Sequence, residues 1–226
     1  MINKFFPNKV LSLNNKFFIH LIFLMISVIA VGLVYALIIS PPDVVQGNSV
    51  RIMYIHVPAS FIGIGCYALM GSISILSVVF KIKVLPYIVK SIAPIGFVFA
   101  LVSIISGSFW GKPTWGVWWA WDARLTSMIV LLLFYIFFIL SQKMIKNEDR
   151  ANKISGLIAI IGIINIPIIK YSVDWWSTLH QPKSINLLSG SSSIHSSMLL
   201  PLLLMLLVLL LYCALIFLMK YKTEII

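Results

Sequence analysis

His56 lies in Met-Tyr-Ile-His-Val-Pro, and His180 lies in Asp-Trp-Trp-Ser-Thr-Leu-His-Gln-Pro. A neutral imidazole is a common iron ligand, and haem iron offers two axial positions. Between the two histidines runs Trp110 to Thr126, Trp-Gly-Lys-Pro-Thr-Trp-Gly-Val-Trp-Trp-Ala-Trp-Asp-Ala-Arg-Leu-Thr. It holds five of the seven tryptophans: Trp110, Trp115, Trp118, Trp119 and Trp121. Indole rings present wide flat faces on which flat ligands stack. One or two of them would read as membrane anchors; five so close together supply more apolar surface than anchoring needs. A single histidine at an interface is more simply a hydrogen-bonding residue. Two of them from separate segments, flanking an aromatic platform, are what a bis-histidine haem site needs.

The supporting residues are less specific. Trp115, Trp118, Trp119 and Asp122 fall at i, i+3, i+4 and i+7, so a helix there would put them on one face, lying along the membrane interface. Gly111, Pro113 and Gly116 would interrupt the part before it and set Trp110 apart. Trp176 and His180 are i and i+4, which stacks indole beside imidazole if that turn is helical. Arg51, Lys112 and Arg124 are the cations available to haem propionates, although Arg124 beside Asp122 also reads as a local ion pair capping a helix. For Asp122 a structural role comes first. His195 sits in a serine-rich stretch without an aromatic partner, and His20 lies at the opposite end of the chain's first apolar run.

The elements that must position these residues are membrane spans. The chain is 61% hydrophobic and 10% charged, with a mean hydropathy of +1.05. Soluble domains carry ~25% charged residues. The composition therefore specifies a polytopic membrane protein, all-α, with 1–226 forming a single membrane domain. A crossing helix needs ~20 apolar residues. Six runs qualify, at about 17–39, 52–80, 91–108, 125–141, 154–169 and 197–219. The first has no small-residue cleavage pattern and reads as a span. Pro94, Pro167 and Pro201 fall in or at spans and would kink them.

Net charge is +11, but the charges sit in short clusters between apolar runs, which points to membrane orientation and not to nucleic acid. Twelve of the 17 Lys and Arg residues fall in the N-terminal segment, the second-third and fourth-fifth linkers and the C-terminal segment. Arg51, Lys112, Arg124, Lys170 and Lys183 fall in the other three linkers. Lys and Arg accumulate on the cytoplasmic side. Both termini are therefore expected there, with segment 109–126, His56, His180 and all seven tryptophans facing outward. An ordinary aromatic belt would decorate both interfaces. Cys66 and Cys213 lie inside apolar runs without a C-x-x-C pair, which argues against thiol redox chemistry and covalent haem attachment. No Walker loop, catalytic triad or paired carboxylates occur, so an enzymatic role is not expected.

Trp-Gly-Val-Trp-Trp-Ala-Trp-Asp-Ala-Arg-Leu-Thr resembles the tryptophan-rich WWD signature of haem-handling membrane proteins. Together with Gly107-Ser-Phe-Trp-Gly-Lys-Pro-Thr-Trp-Gly, Gln46-Gly-Asn-Ser-Val-Arg-Ile-Met-Tyr-Ile-His-Val-Pro and Ile168-Ile-Lys-Tyr-Ser-Val-Asp-Trp-Trp-Ser-Thr-Leu-His-Gln, it resembles the haem exporter C family of cytochrome c maturation (CcmC). The likeness spans about 31–180; the stretches before it and after Pro182 match poorly. It implies six spans, an outward-facing WWD segment, and non-covalent haem b held by His56 and His180 as axial ligands. It also implies delivery of haem to the chaperone CcmE, within an ABC-type complex of the ATPase CcmA with CcmB and CcmD, in the bacterial inner membrane or the mitochondrial one. Larger relatives that share the signature act as cytochrome c synthases; six spans and 226 residues favour the delivery role. The alternative is a permease subunit of an ABC-type haem or small-solute exporter, which needs polar residues at mid-membrane; Asn165 is one of the few. A third reading is a scaffold whose tryptophans only anchor it.

Overall fold

The computed structural model describes residues 15–181, 184–186 and 191–225. Six of its helical stretches are long and apolar enough to cross a membrane: Ile19–Ile39, Asn48–Phe80, Leu85–Trp115, Ala123–Met144, Glu148–Trp175 and Ser196–Glu224. The chain is a multi-pass membrane protein. Its described β structure is one antiparallel pair, β1 (Ile185–Asn186) with β2 (Ser191–Ser192). Part of the serine-rich stretch around His195 lies outside the described residues, and Ser191 and Ser192 form β2.

Helix α1 (Asn15–Val34) widens into a π-helical turn at Tyr35–Ile39 and stops before Pro41-Pro42. A 3-10 turn (Asn48–Ile52) leads into α2 (Met53–Phe80). Helix α3 (Leu85–Trp115) follows and ends at Gly116, whose φ of 79° only glycine adopts readily. Helix α4 (Ala123–Met144) is capped by Asp122, whose carboxylate accepts from Leu125 N at 2.8 Å. Helix α5 (Glu148–Gly162) is capped in the same way by Asn147, which accepts from Arg150 N.

The fifth span breaks at Ile163-Ile164 and resumes as α6 (Asn165–Trp175). Pro167 stands in the first turn of α6, where it can offer no N–H to the turn before it. The Asn165 side chain bridges the gap by donating to Ser127 O on α4 at 2.8 Å. Helix α7 (Ser196–Ile225) starts at His195, whose carbonyl accepts from Met198 N and Leu199 N and whose Nδ1 accepts from Ser197 N. Pro94 and Pro201 lie within continuous helices.

Five of the six spans run past the boundaries read from hydropathy. Helix α3 is the important case, since it carries Trp110 and Trp115 beyond the expected end at 108. Gly111 and Pro113 do not interrupt it. Pro113 removes one N–H near the helix end, and the last turn is held instead by Thr114 Oγ1 donating to Trp110 O at 2.7 Å and by Gly116 N donating to Lys112 O at 3.1 Å.

The centre of the bundle is built from α2, α3, α4 and α5. Tyr67 and Tyr135, both fully buried, meet edge to face with centroids 4.9 Å apart. Their hydroxyls donate to Ile158 O and Gly63 O, at 2.9 and 2.7 Å. Neither of these two hydroxyls is left unsatisfied, which in a lipid-bounded core would cost several kcal/mol, on the order of ~2–7. At Gly63 a Cβ would stand 2.9 Å from Ala100 N, so α2 and α3 touch backbone to backbone. Alternation of the spans puts the segments 40–52, 116–122, 176–181 and 191–195 at one end. The linkers 81–84 and 145–147 lie at the other, where Lys90 Nζ and Glu148 pair at 3.1 Å.

Candidate functional site

His56 sits in the first turns of α2 and faces α3. Its Nδ1 lies 3.0 Å from Ser103 O and 3.2 Å from Ser106 Oγ. A carbonyl can only accept, so Nδ1 carries the proton. Ser106 Oγ donates to Val102 O at 2.6 Å, which leaves its lone pairs for the imidazole. The proton on Nδ1 leaves Nε2 with a bare lone pair, the state of a metal-ligating histidine. Trp110 meets the ring edge to face, with centroids 5.7 Å apart and planes at 73°. The Trp110 indole Nε1 donates to Gln46 Oε1 at 2.8 Å. Gln46 is held by a tight turn in which Asp43 Oδ1 accepts from Val45 N and Gln46 N.

His180 comes from the segment after α6. Its Nδ1 is 3.1 Å from Gln181 O and 3.4 Å from Arg124 Nη1. The two contacts require opposite tautomers, because the carbonyl accepts and the guanidinium donates. The carbonyl contact corresponds to a proton on Nδ1 and a bare Nε2, the guanidinium contact to the reverse. Burial first, and the Arg124 charge second, hold its pKa below the ordinary imidazole value, so the neutral form that binds metals is favoured. The ring partner of His180 is Trp115, at 6.4 Å. Trp176 is not that partner. Helix α6 ends at Trp175 and Trp176 is extended, so the i, i+4 relation has no helix to act through.

The two histidines line one open cavity of about 310 Å³. Known small-molecule sites start at about 300 Å³. Trp110, Trp115, Trp119 and Arg124 line it as well, with Gln46 and Gly107 beside His56 and an apolar wall that includes Phe61, Ile104 and Met128. Trp119 Nε1 is buried there without a hydrogen-bond partner. Trp118 and Trp121 do not line the cavity. Trp118 packs on Phe109, and Trp121, 77% exposed, packs on Trp119. The expected tryptophan-faced helix over 115–122 does not form, because the chain turns at Gly116 and stays non-helical to Asp122. Asp122 caps α4 and points one oxygen, Oδ2, into a buried place without a partner.

Of the three cations considered, Arg124 alone lines the cavity. Arg51 Nη2 donates to Ser40 O at 3.0 Å, and Lys112 Nζ donates to Gly116 O at 2.9 Å. His195 is engaged at the start of α7, and His20 is exposed on α1. Sequence reasoning assigned no role to Ser103, Gly107 or Gln46. The first two fall at i and i+4 to each other, with Trp110 at i+7 on the same helix, a spacing that could have marked them as one face.

The donor set suits haem: two imidazoles, flat indole walls, a buried indole N–H and one guanidinium. Comparison with known proteins points the same way. The family model described as Heme exporter protein C (CcmC) matches residues 2–226. The chain belongs to that family. It is 39% identical over 199 residues to the Heme exporter protein C of Escherichia coli K12, covering 88% of this chain and 80% of that one. It is 36% identical over 220 residues to the protein of the same name from Bradyrhizobium diazoefficiens, covering 97% and 83%. A ccmC-like mitochondrial protein of cytochrome c biosynthesis from Marchantia polymorpha is 36% identical over 197 residues, covering 87% and 83%. Family membership ties the chain to haem handling in cytochrome c maturation.

Proposed function

We propose that this protein binds haem b non-covalently, as cargo, at the outer face of the membrane and delivers it to the haem chaperone CcmE. His56 and His180 supply the axial imidazoles through Nε2. Trp110, Trp115 and Trp119 wall the macrocycle, and Arg124, with the unpartnered Trp119 N–H, faces its propionates. Asp122 serves by capping the helix that carries Arg124. Trp118 and Trp121 stand outside the cavity and belong to the surface that meets the chaperone. The termini are cytoplasmic and the site is periplasmic in a bacterial inner membrane, following the Lys and Arg asymmetry. CcmA, CcmB and CcmD are the complex partners, and ATP hydrolysis falls to CcmA.

One observation carries this reading. Two imidazoles from distant elements line one cavity, each with Nδ1 turned to a backbone carbonyl. The permease alternative finds no such support. Asn165, its mid-membrane polar residue, is committed to Ser127 O across the break in the fifth span.

The test is a loading assay. The protein is co-expressed with the chaperone, and haem is quantified on both. His56→Ala and His180→Ala should each lower haem on the purified protein and on the chaperone by at least about tenfold, the loss usual when even a supporting residue of a metal site is removed. Wild-type haem on both proteins in both variants would end the proposal.

A further inference from the structure

An imidazole plane is loosely set by its own torsions, since rotation about the Cβ–Cγ bond of histidine is broad. Something outside the side chain must fix it. In this protein one face of α3 meets the His56 ring at successive turns. Ser103 O takes the Nδ1 proton at 3.0 Å. Gly107 comes next, so close that a Cβ there would stand 2.9 Å from His56 Cε1 and 3.3 Å from Nδ1. Trp110 closes the third side edge to face at 5.7 Å.

Trp110 is itself fixed from another element. Its Nε1 donates to Gln46 Oε1 at 2.8 Å, on the loop between α1 and α2. That loop is tied to itself and to the end of the first span. Asp43 Oδ1 accepts from Gln46 N at 2.7 Å, Gly47 takes a φ of 57°, and Arg51 Nη2 donates to Ser40 O. Position therefore passes from the loop to Gln46, to Trp110, to the ligand ring.

We propose that Gln46 and Gly107 are positioning residues that set the plane of the His56 imidazole, Gly107 by direct contact and Gln46 through Trp110. This rests on the haem reading given above. In a bis-imidazole haem the relative planes of the two rings set how the iron d orbitals split, and hence the g values of the ferric low-spin signal. A positioning role therefore has a readout that fold stability alone does not move.

The experiment uses the full-length protein in detergent, loaded with ferric haem. Gln46→Leu should shift the largest g value and speed haem loss about tenfold, as removal of an outer partner of a metal ligand does. Gln46→Glu, which keeps an acceptor oxygen, should restore both. Trp110→Phe keeps the ring but loses the N–H and should match Gln46→Leu. The double variant should be no worse than either single one. Gly107→Ala should shift the g values also, while Gly65→Ala, where a Cβ meets nothing within 4 Å, should not. In the haem-free protein the Trp110 indole N–H resonance should move in Gln46→Leu and return in Gln46→Glu.

Unchanged g values and haem retention in Gln46→Leu, with haem lost in His56→Ala, would overturn this proposal and leave the haem reading standing. Additive effects in the double variant would overturn the route through Trp110, because Gln46 would then act on haem directly. A persistent bis-histidine signal in His56→Ala would end the assignment of His56 as a ligand, on which this proposal rests. Should Gly107→Ala not fold, the Gln46 and Trp110 series decides alone.

Discussion

An imidazole ligates iron only when it is unprotonated. His180 lies beside Arg124 in a cavity wall, and burial followed by the guanidinium charge lowers its pKa. Its folded pKa lies below the unfolded one. It therefore contributes stability that is fully present above the unfolded pKa and is lost as pH falls through the folded one. Arg124→Gln should raise the His180 pKa part of the way back, since burial remains. Titration of the His180 ring resonances in the haem-free protein checks this, and an unmoved titration would place the arginine elsewhere. The tryptophans divide at the same scale. Trp119→Ala should lower haem retention several-fold, whereas Trp121→Ala, at the exposed surface, should leave retention intact and weaken chaperone loading. Equal retention in the two would contradict the division. Asp122→Ala should cost about 1 kcal/mol through loss of the cap on α4, read as a lower midpoint of thermal unfolding. At this scale the two cavity histidines were legible because imidazole is rare in so apolar a chain. Gly107 was not, because a glycine declares its purpose only through the atom that occupies the space a Cβ would take.

Helix α3 decides where the cavity is. Its extension to Trp115 puts Trp110 over His56 and Trp115 near His180, and the turn at Gly116 sends Trp118 and Trp121 outward. The sequence misled here for a physical reason. Gly111 and Pro113 are helix breakers locally, but Thr114 and Gly116 supply the bonds that carry the last turn past them. The i, i+4 pairing of Trp176 with His180 failed for the reverse reason, since the helix it needed had already ended. The break in the fifth span was half legible. Pro167 announces a defect, but only the fold shows Asn165 crossing to Ser127. Asn165→Ala should destabilise the protein by about 1–2 kcal/mol, the usual worth of a buried hydrogen bond whose partner is left unmet. Gly96→Ala should cost about 1–3 kcal/mol, because its Cβ would drive into the Tyr135 ring, while Gly65→Ala should not. Denaturation in mild detergent measures all three, and equal stability of the two alanine variants would contradict the packing described for α3 on α4.

On the scale of the whole chain, six spans were legible because a bilayer imposes a length of ~20 apolar residues on any crossing helix. Their ends were less so: α2 keeps to its expected 52–80, but α3 and α7 run beyond theirs, since hydropathy does not mark where a helix stops. The proposed orientation rests on charge alone. Thiol labelling from outside should reach Val44→Cys, on the fully exposed turn at the site end, and should miss Lys146→Cys at the other end, in a chain whose Cys66 and Cys213 have been replaced by serine. The reverse pattern would invert the protein and move the cavity to the cytoplasm. The site itself draws on α2, α3, α4 and the segment after α6, so its assembly was beyond any reading of local sequence. The central claim is that His56 and His180 share one haem iron. Its most direct test is the ferric and ferrous absorption spectrum of the purified protein, wild type beside His56→Ala and His180→Ala. Shared ligation predicts a six-coordinate low-spin spectrum in the wild type, converted toward high spin by either substitution alone. A low-spin spectrum unchanged by one of the two substitutions would show that this histidine is not a ligand, and would contradict the account.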